Sequence, residues 1–396
     1  MAETKSFTDL LLKIVDNRGR TCPLSESGFP LIATNCIKND ALYPLFENIR
    51  FVDDETRAEW FRGHPEPGDI IFVCKGSPGR VAIVPDPVSF CIAQDMVAVR
   101  ADPKKVDPKF LFAVLRSTFV QTQISNMHVG SLIPHFKKGD FQNLRIPMLP
   151  MEEQHVIGGM YFDISEKIES NRRLCDLLIQ LARTMLMSGT KKTRLGDIAT
   201  CEKGLSYKGK GLEEDSNLGL PMINLGNFGV DGWLNPQKLK HYSEDYKEKH
   251  LLETGDLVVA NTDLTQQRVI IGRPALVPPS LGKVLFTHHV TAIKPLKDRE
   301  LILPIWAQLN SPAFRERAEG FATGTTVAGL PMEALTDFEV WLPDSVLIKE
   351  AGQLLSRVWS AEAEDKRLVS LRDMLLPEML SGRLRVKDAE SIVENV

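Results

Sequence analysis

The stretch from Glu152 to Met187, EEQHVIGGMYFDISEKIESNRRLCDLLIQLARTMLM, constrains the fold of this chain more than any other part of it. Its apolar residues Ile157, Ile164, Ile168, Leu174, Leu178, Leu181 and Met185 follow a three-and-four spacing, which gathers them into one stripe on a helix. No proline interrupts the run. At about 1.5 Å per residue the helix is on the order of 50 Å long, against about 11–12 residues for the usual globular helix. A stripe of that length needs a second apolar surface to cover it.

The chain supplies that surface itself. Ser345 to Gly382 reads SVLIKEAGQLLSRVWSAEAEDKRLVSLRDMLLPEMLSG, and a shift of 194 residues places Ile164 on Val358, Asn171 on Asp365, Leu174 on Leu368, Leu181 on Leu375 and Met185 on Met379. Two copies of one amphipathic helix are expected to pack antiparallel. The seven stripe residues and Asn171 then face Val358, Asp365, Leu368, Leu375 and Met379. Polar Asn171 and Asp365 near the seam fix the register at some cost in stability. The second helix is weakest at mid-length, where Ala361, Glu362 and Asp365 stand in place of larger apolar groups. Packing of each helix on its neighbouring domain alone is the competing arrangement, and the length of the helices disfavours it.

The segments between the helices repeat as well. Up to Pro150, short β-rich runs separated by Gly and Pro dominate: FPLIA (Phe29 to Ala33), DIIFVC (Asp69 to Cys74), RVAIV (Arg80 to Val84) and MVAVR (Met96 to Arg100). One helix is expected from about Pro108 to Ser125, with Asp107 as N-cap. From Lys191 to Pro343 the plan recurs: LPMIN sets Pro221 on Pro30, a shift of 191, and GDLVVANTD sets Gly255 on Gly68, a shift of 187. Phe7, Asp9 and Leu10 align with Leu195, Asp197 and Ile198, and LPIWAQLNSPAFRERAE (Leu303 to Glu319) reads as the second domain's helix. Drifting offsets mean loop insertions within a preserved frame. The expected fold is α+β: globular domains at 1–150 and 190–344, separated by long helices at 151–189 and 345–396 packed as an antiparallel coiled-coil spacer with pseudo-twofold internal repeat. Two similar surfaces held at a fixed separation suit a long double helix read at two sites, about 34 Å apart for one turn.

Composition narrows the class. A hydrophobic content of 43% over 396 residues is ample for two cores. No apolar run approaches the roughly 18 residues of a membrane span, and MAETKSFTDLLLKIVDNRGR lacks the order of a signal peptide, so a cytoplasmic location and no membrane partner are expected. The six cysteines are scattered, which suggests buried free thiols instead of disulfides or a zinc knuckle. A net charge of −4 argues weakly against a nucleic-acid partner. Local basic surface decides that question, and clusters stand at Lys104–Lys105, Lys137–Lys138, Lys191 to Arg194 and Lys203 to Lys210.

Catalytic motifs are missing. The nearest string to the NPP-aromatic motif of a DNA methyltransferase is Asn235–Pro236–Gln237, and GSPGR (Gly76 to Arg80) lacks the lysine-hydroxyl ending of a P-loop. His288–His289, His64, His128 and His135 show no helical i, i+4 metal pair. No catalytic residue, metal ligand or cofactor is therefore assigned to this chain. The loops do carry residue types that match base edges and phosphates. In the first domain these are Arg18 and Arg20 beside Asn17, and Lys75, Ser77 and Arg80 after DIIFVC. In the second they are Lys203, Tyr207, Lys208 and Lys210, and the loop residues Asn261, Thr262, Gln266, Gln267 and Arg268.

At this point the chain resembles a family. NLRIPMLPMEEQHVIGGMYFDISEKIES (Asn143 to Ser170), its counterpart FEVWLPDSVLIKEAGQLLSRV, the terminal LLPEMLSGRLRV and RLGDIATCEKG (Arg194 to Gly204) are similar to the DNA-specificity subunit of Type I restriction–modification enzymes. The likeness covers nearly the whole chain and is strongest in the IPxLPxEEQ element and the helix ends Ser188–Gly189 and Ser381–Gly382. The first domain departs from it by starting KSFTDLLLKIVDNRGR in place of an LGDI element. The resemblance implies a prokaryotic, non-catalytic protein with two target-recognition domains, each reading one half of a split double-stranded DNA site. It further implies two methyltransferase subunits that modify adenine with S-adenosylmethionine, and restriction subunits that use ATP, so both cofactors belong to partners. The alternative from another class is a protein-binding assembly scaffold without DNA recognition.

Overall fold

A computed structural model of the chain describes residues 3–17, 21–127, 133–215, 217–229, 232–265, 267–324 and 327–393. The two long helices are single elements, Met151–Met187 and Ser345–Leu380. The chain divides into two compact units, Met1–Asn171 with Glu364–Val396, and Arg172–Ala363, so each unit holds one sheet-rich domain and one stretch of each helix.

In the first unit the incoming strand Thr4–Ser6 pairs antiparallel with Arg145–Pro147, the strand that leads into the central helix. Between them lies a four-stranded antiparallel sheet in the order Leu11–Val15, Met96–Ala101, Ile70–Val73, Val81–Ile83. Ile70–Val73 is buried at every position, as a central strand covered on both faces should be. A second sheet orders Arg50–Val52, Phe29–Ile32 and Cys91–Ile92, the last two in parallel. The helix expected from Pro108 is two helices, Pro108–Arg116 and Thr118–Met127. Ser117 separates them: its hydroxyl donates to the Val114 carbonyl at 2.6 Å and accepts from the Val120 amide at 3.4 Å, a local alternative to the helical ladder.

The second unit repeats this order. Lys191–Arg194 pairs with Glu339–Leu342. Its four-stranded sheet runs Ala199–Lys203, Val290–Pro295, Leu257–Ala260, Pro274–Leu276. Its other sheet again contains a parallel pair, Leu220–Ile223 with Val284–Phe286, flanked by Lys240–Tyr242 and Leu251–Leu252. The expected single helix is again two, Ile302–Leu309 and Pro312–Phe321, with Ser311 capping the second through the Phe314 amide and Pro312 at its first position. The departure at the N-terminus is small in three dimensions: Phe7–Leu10 forms one helical turn before its strand, as Leu195–Ile198 does.

The helices pack antiparallel within each unit. In the first, Ile164 and Ile168 cluster with Leu368, and the Arg372 guanidinium lies 5.2 Å from the Tyr161 ring. Leu375 and Met379 join Ile157 and Tyr161 in the main core of that unit. In the second, Cys175 packs with Val358 and Ala361 beside half-buried Leu178, and Ala182 and Leu186 share a core with Leu355, Ala351 and Ile348. The seam differs here from the sequence reading. Leu174 and Leu181 are 48% and 51% exposed, and Met185 is only half-buried. From Ile157 the helix keeps one face by steps of four and three through Tyr161, Ile164, Ile168, Asn171 and Cys175 to Ala182, so Leu174 and Leu181 lie about a quarter-turn off it.

Asn171 is 3% exposed within the first unit's seam. Its amide donates to Glu364 Oε2 and to Asp365 Oδ1, both at 2.8 Å, and its carbonyl accepts from Lys167 Nζ at 3.0 Å. Lys167 also pairs with Glu364 at 3.3 Å. The hydrogen bond from Asn171, ahead of the Lys167 charge, holds the Glu364 carboxyl below its usual range. At the start of the central helix, Asp107 caps Pro108–Arg116 through the Phe110 amide at 2.8 Å, and Gln154 accepts from the Asp107 amide at 3.0 Å. Gly158 lets the two helices approach: a Cβ there would lie 2.4 Å from the Phe110 nitrogen, whereas at Gly159 it would meet nothing within 4 Å.

Two outcomes follow for stability. Gly158→Ala is expected to lower it by about 1–3 kcal/mol through overpacking against backbone, while Gly159→Ala gains up to about 1 kcal/mol from helix propensity; thermal melts of the pair decide, and equal effects would contradict the close approach. Asn171→Leu removes the two hydrogen bonds that Glu364 and Asp365 accept inside the seam and should cost about 1–3 kcal/mol, measured by urea unfolding; an unchanged midpoint would remove Asn171 as a determinant of the seam.

Candidate nucleic-acid interface

The four-stranded sheets of the two units end in the same backbone frame. The Cys74 amide donates to the Asp95 carbonyl at 2.9 Å, and the Asn261 amide donates to the His289 carbonyl at 3.0 Å. Phe136 donates to Cys74 and Leu330 to Asn261, each at 2.8 Å. Lys75, Gln94 and Asp95 in the first domain therefore stand at the backbone positions that Thr262, His288 and His289 hold in the second.

At the first tip, Arg18 and Arg20 lie outside the described residues. Lys75 and Arg80 are half-exposed and make no ion pair among the described residues. Lys75 is bridged to His135, and Gly76 donates to the Pro134 carbonyl at 2.9 Å, so the turn is fixed against the segment after residue 132. Half-exposed Ser77 sits in the same turn, whose Gly76 and Gly79 take φ of 86° and 90°. Gly79 is closed in by Gln121 and Ile124 of the second helix. Asn17 belongs to the scaffold: it is 2% exposed and donates to the Ile92 carbonyl at 3.2 Å. Asp16 forms an ion pair with Lys138, so this tip mixes acceptors and donors. Burial pushes the Cys74 thiol beneath it up to about 12, which makes it inert.

At the second tip, two sequence candidates turn out to be scaffold. Asn261 is 5% exposed, and its amide donates to the His288 carbonyl at 3.1 Å and to the Thr291 hydroxyl at 2.9 Å. Arg268, with φ of 51°, donates to the carbonyls of Ala322 and Gly324 at 3.2 Å, where it closes the end of the Pro312–Phe321 helix. Both side chains spend hydrogen bonds on the hairpin; Asn261 is buried, and Arg268 is half-exposed. The loop between is pinned by Asp263, fully buried, which accepts from Thr265, Ile270 and Ile271. Burial pushes the Asp263 carboxyl up, but these hydrogen bonds outweigh it and hold the group below its usual range. Gln266 lies outside the described residues, and Gln267 is exposed. Lys210 pairs with Glu244 at 3.1 Å, while Lys203 and Lys208 are exposed without an ion pair among the described residues.

Tyr207 and Thr262 join a cluster that the sequence did not reveal. Lys240 Nζ donates to the Tyr207 hydroxyl oxygen at 2.7 Å and lies 5.2 Å from its ring. The Tyr207 ring is 6.4 Å from that of His288, which lies 4.0 Å from His289. His289 Nδ1 shares a hydrogen bond with the Thr262 hydroxyl at 2.9 Å. Burial, then the His288 and Lys240 charges, lower the His289 pKa. Half-buried Lys240 makes no ion pair among the described residues. Lys240 stands in no motif, and only strand pairing in the second sheet carries it over Tyr207. The adjacent histidines at a strand junction were the one legible signal.

Among the described residues no group of three or more His, Cys, Asp or Glu side chains is placed to hold a metal, and no helix is long and apolar enough to cross a membrane. All six cysteines are free; five are buried and Cys201 is half-buried.

Residues 23–178 match the family model of the Type I restriction modification DNA specificity domain. The specificity subunit of the Type I restriction enzyme MjaVIII of Methanocaldococcus jannaschii is 22% identical over 338 residues, covering 75% of each chain. That of the Escherichia coli enzyme EcoBI is 28% identical over 134 residues, covering 33% of this chain and 27% of its own. The solved S subunit of a Type I restriction-modification system from M. genitalium aligns over 96% of both chains with a TM-score of 0.55 at 17% identity, a likeness of fold. The chain thus carries, over residues 23–178, a match to the Type I restriction modification DNA specificity domain, and over three quarters of its length it is similar to a specificity subunit of a Type I restriction enzyme.

Proposed function

We propose that this chain recognises a bipartite DNA target, one half-site per globular domain, and directs adenine-methyltransferase and restriction subunits to it. Residues 1–150 and 190–344 act as the recognition domains, and 151–189 and 345–396 as the spacer. The chain contributes no catalytic group of its own. Two methyltransferase subunits bring S-adenosylmethionine and the restriction subunits use ATP.

One observation carries this reading: two domains hold the same backbone frame and end it in different side chains. A repeated frame gives both readers the same approach to a duplex. Changed tips give each its own base preference. A scaffold that binds proteins through both ends has no use for unpaired lysines at both tips, where phosphate positioning does.

Sequencing of modified bases in a host that carries the chain with its methyltransferase is expected to return a split motif; a continuous motif would overturn two separated readers. DNA affinity of the complex should fall steeply with salt, on the order of 10³–10⁵-fold between about 50 and 200 mM for six to ten phosphate contacts, and a salt-independent or absent affinity would favour the scaffold. Arg80→Ala is expected to relax one position of one half-site at a cost of about 1–3 kcal/mol. Arg268→Ala should instead lower the melting temperature, because its hydrogen bonds close a hairpin; loss at a single base position with unchanged stability would return Arg268 to the reading surface.

A further inference from the structure

The two tips differ in the sign of what they offer. The first presents carboxylates, Asp95 and the Lys138-paired Asp16, among its lysines. At the second, the nearby carboxylate of Asp263 is buried and held by backbone amides, and that of Glu244 is paired with Lys210 at 3.1 Å. What remains outward is the Lys240 ammonium, the Tyr207 hydroxyl and the exposed His288 ring. The hydroxyl oxygen accepts from Lys240, which leaves its own O–H as a donor to a ligand. Lys203 and Lys208, on the same segment as Tyr207, are exposed.

Resting on the bipartite reading above, we propose that the Lys240–Tyr207–His288 cluster reads guanine in the half-site of the second domain. A tip that presents donors needs acceptors on the base edge. Guanine shows two neighbouring ones, O6 and N7, in the major groove, whereas thymine shows one, O4, beside its methyl group, and the N4 amino group of cytosine and the N6 amino group of adenine set donor against donor. Lys240 is half-buried and held against Tyr207, so little of its rotamer freedom remains to be lost on binding. The first tip, with Asp95 and Gln94 at the equivalent junction, suits bases that offer an amino group, so the two half-sites differ in kind.

The test uses the full chain in complex with its methyltransferase subunits and reads the modified motif for the unaltered chain, His288→Ala and Lys240→Met. Both substitutions are expected to relax the same position in one half-site only. That position is a guanine in the unaltered motif, and its discrimination against adenine falls by about ten-fold or more. His288 is exposed, so His288→Ala remains decisive even where Lys240→Met fails to fold. An intact split motif that neither substitution alters, or relaxation at an A·T pair, overturns this proposal and leaves the bipartite reading standing. A continuous motif from the unaltered chain overturns both.

Discussion

The contact on which the rest of the structure depends is the antiparallel seam between the two long helices, and within it the buried Asn171 amide shared by Glu364 and Asp365. Apolar stripes alone allow a helix pair to slide by a turn, since leucine and isoleucine surfaces are similar everywhere along them. A buried amide does not, because displacing it breaks the hydrogen bonds it donates to Glu364 and Asp365, at about 1–3 kcal/mol. Register matters here for more than the seam. The central helix begins on the capped end of Pro108–Arg116, through Gln154 and the close approach at Gly158, so its position along the seam is also its position on the first domain.

Each domain is in turn closed by pairing its first strand with its last, Thr4–Ser6 with Arg145–Pro147 and Lys191–Arg194 with Glu339–Leu342. The long helices leave directly from those closing strands. Loops at the far ends of the sheets can therefore change without disturbing either the closure or the seam. The tips at Lys75 and Thr262 show this separation: identical backbone hydrogen bonds beneath, different chemistry above. It is the arrangement that function on a rigid frame requires.

The repeat and the helices were legible because both are periodic and survive as spacing in the chain. The seam was legible only in part. Counting apolar residues admits Leu174 and Leu181, but a rigid helix keeps one phase, and the phase set by Ile157 through Asn171 selects Cys175 and Ala182 instead. The helix pairs broken at Ser117 and Ser311 were read as single helices because hydrophobic spacing continues across a serine that caps.

Among the loop residues, type alone separated readers from scaffold poorly. Asn261 and Arg268 have the side chains of base readers, yet hold the hairpin that carries the tip. Lys240 has no sequence neighbour to mark it and becomes part of a surface only because its strand pairs next to the loop of Tyr207. The sequence by itself determined the duplicated frame, the paired helices and the absence of catalytic motifs, since each is written in local periodicity or short strings. The tertiary structure alone decided which polar groups are free to meet a ligand, because a hydrogen-bonding side chain has finite valence and only the fold shows where that valence is already used.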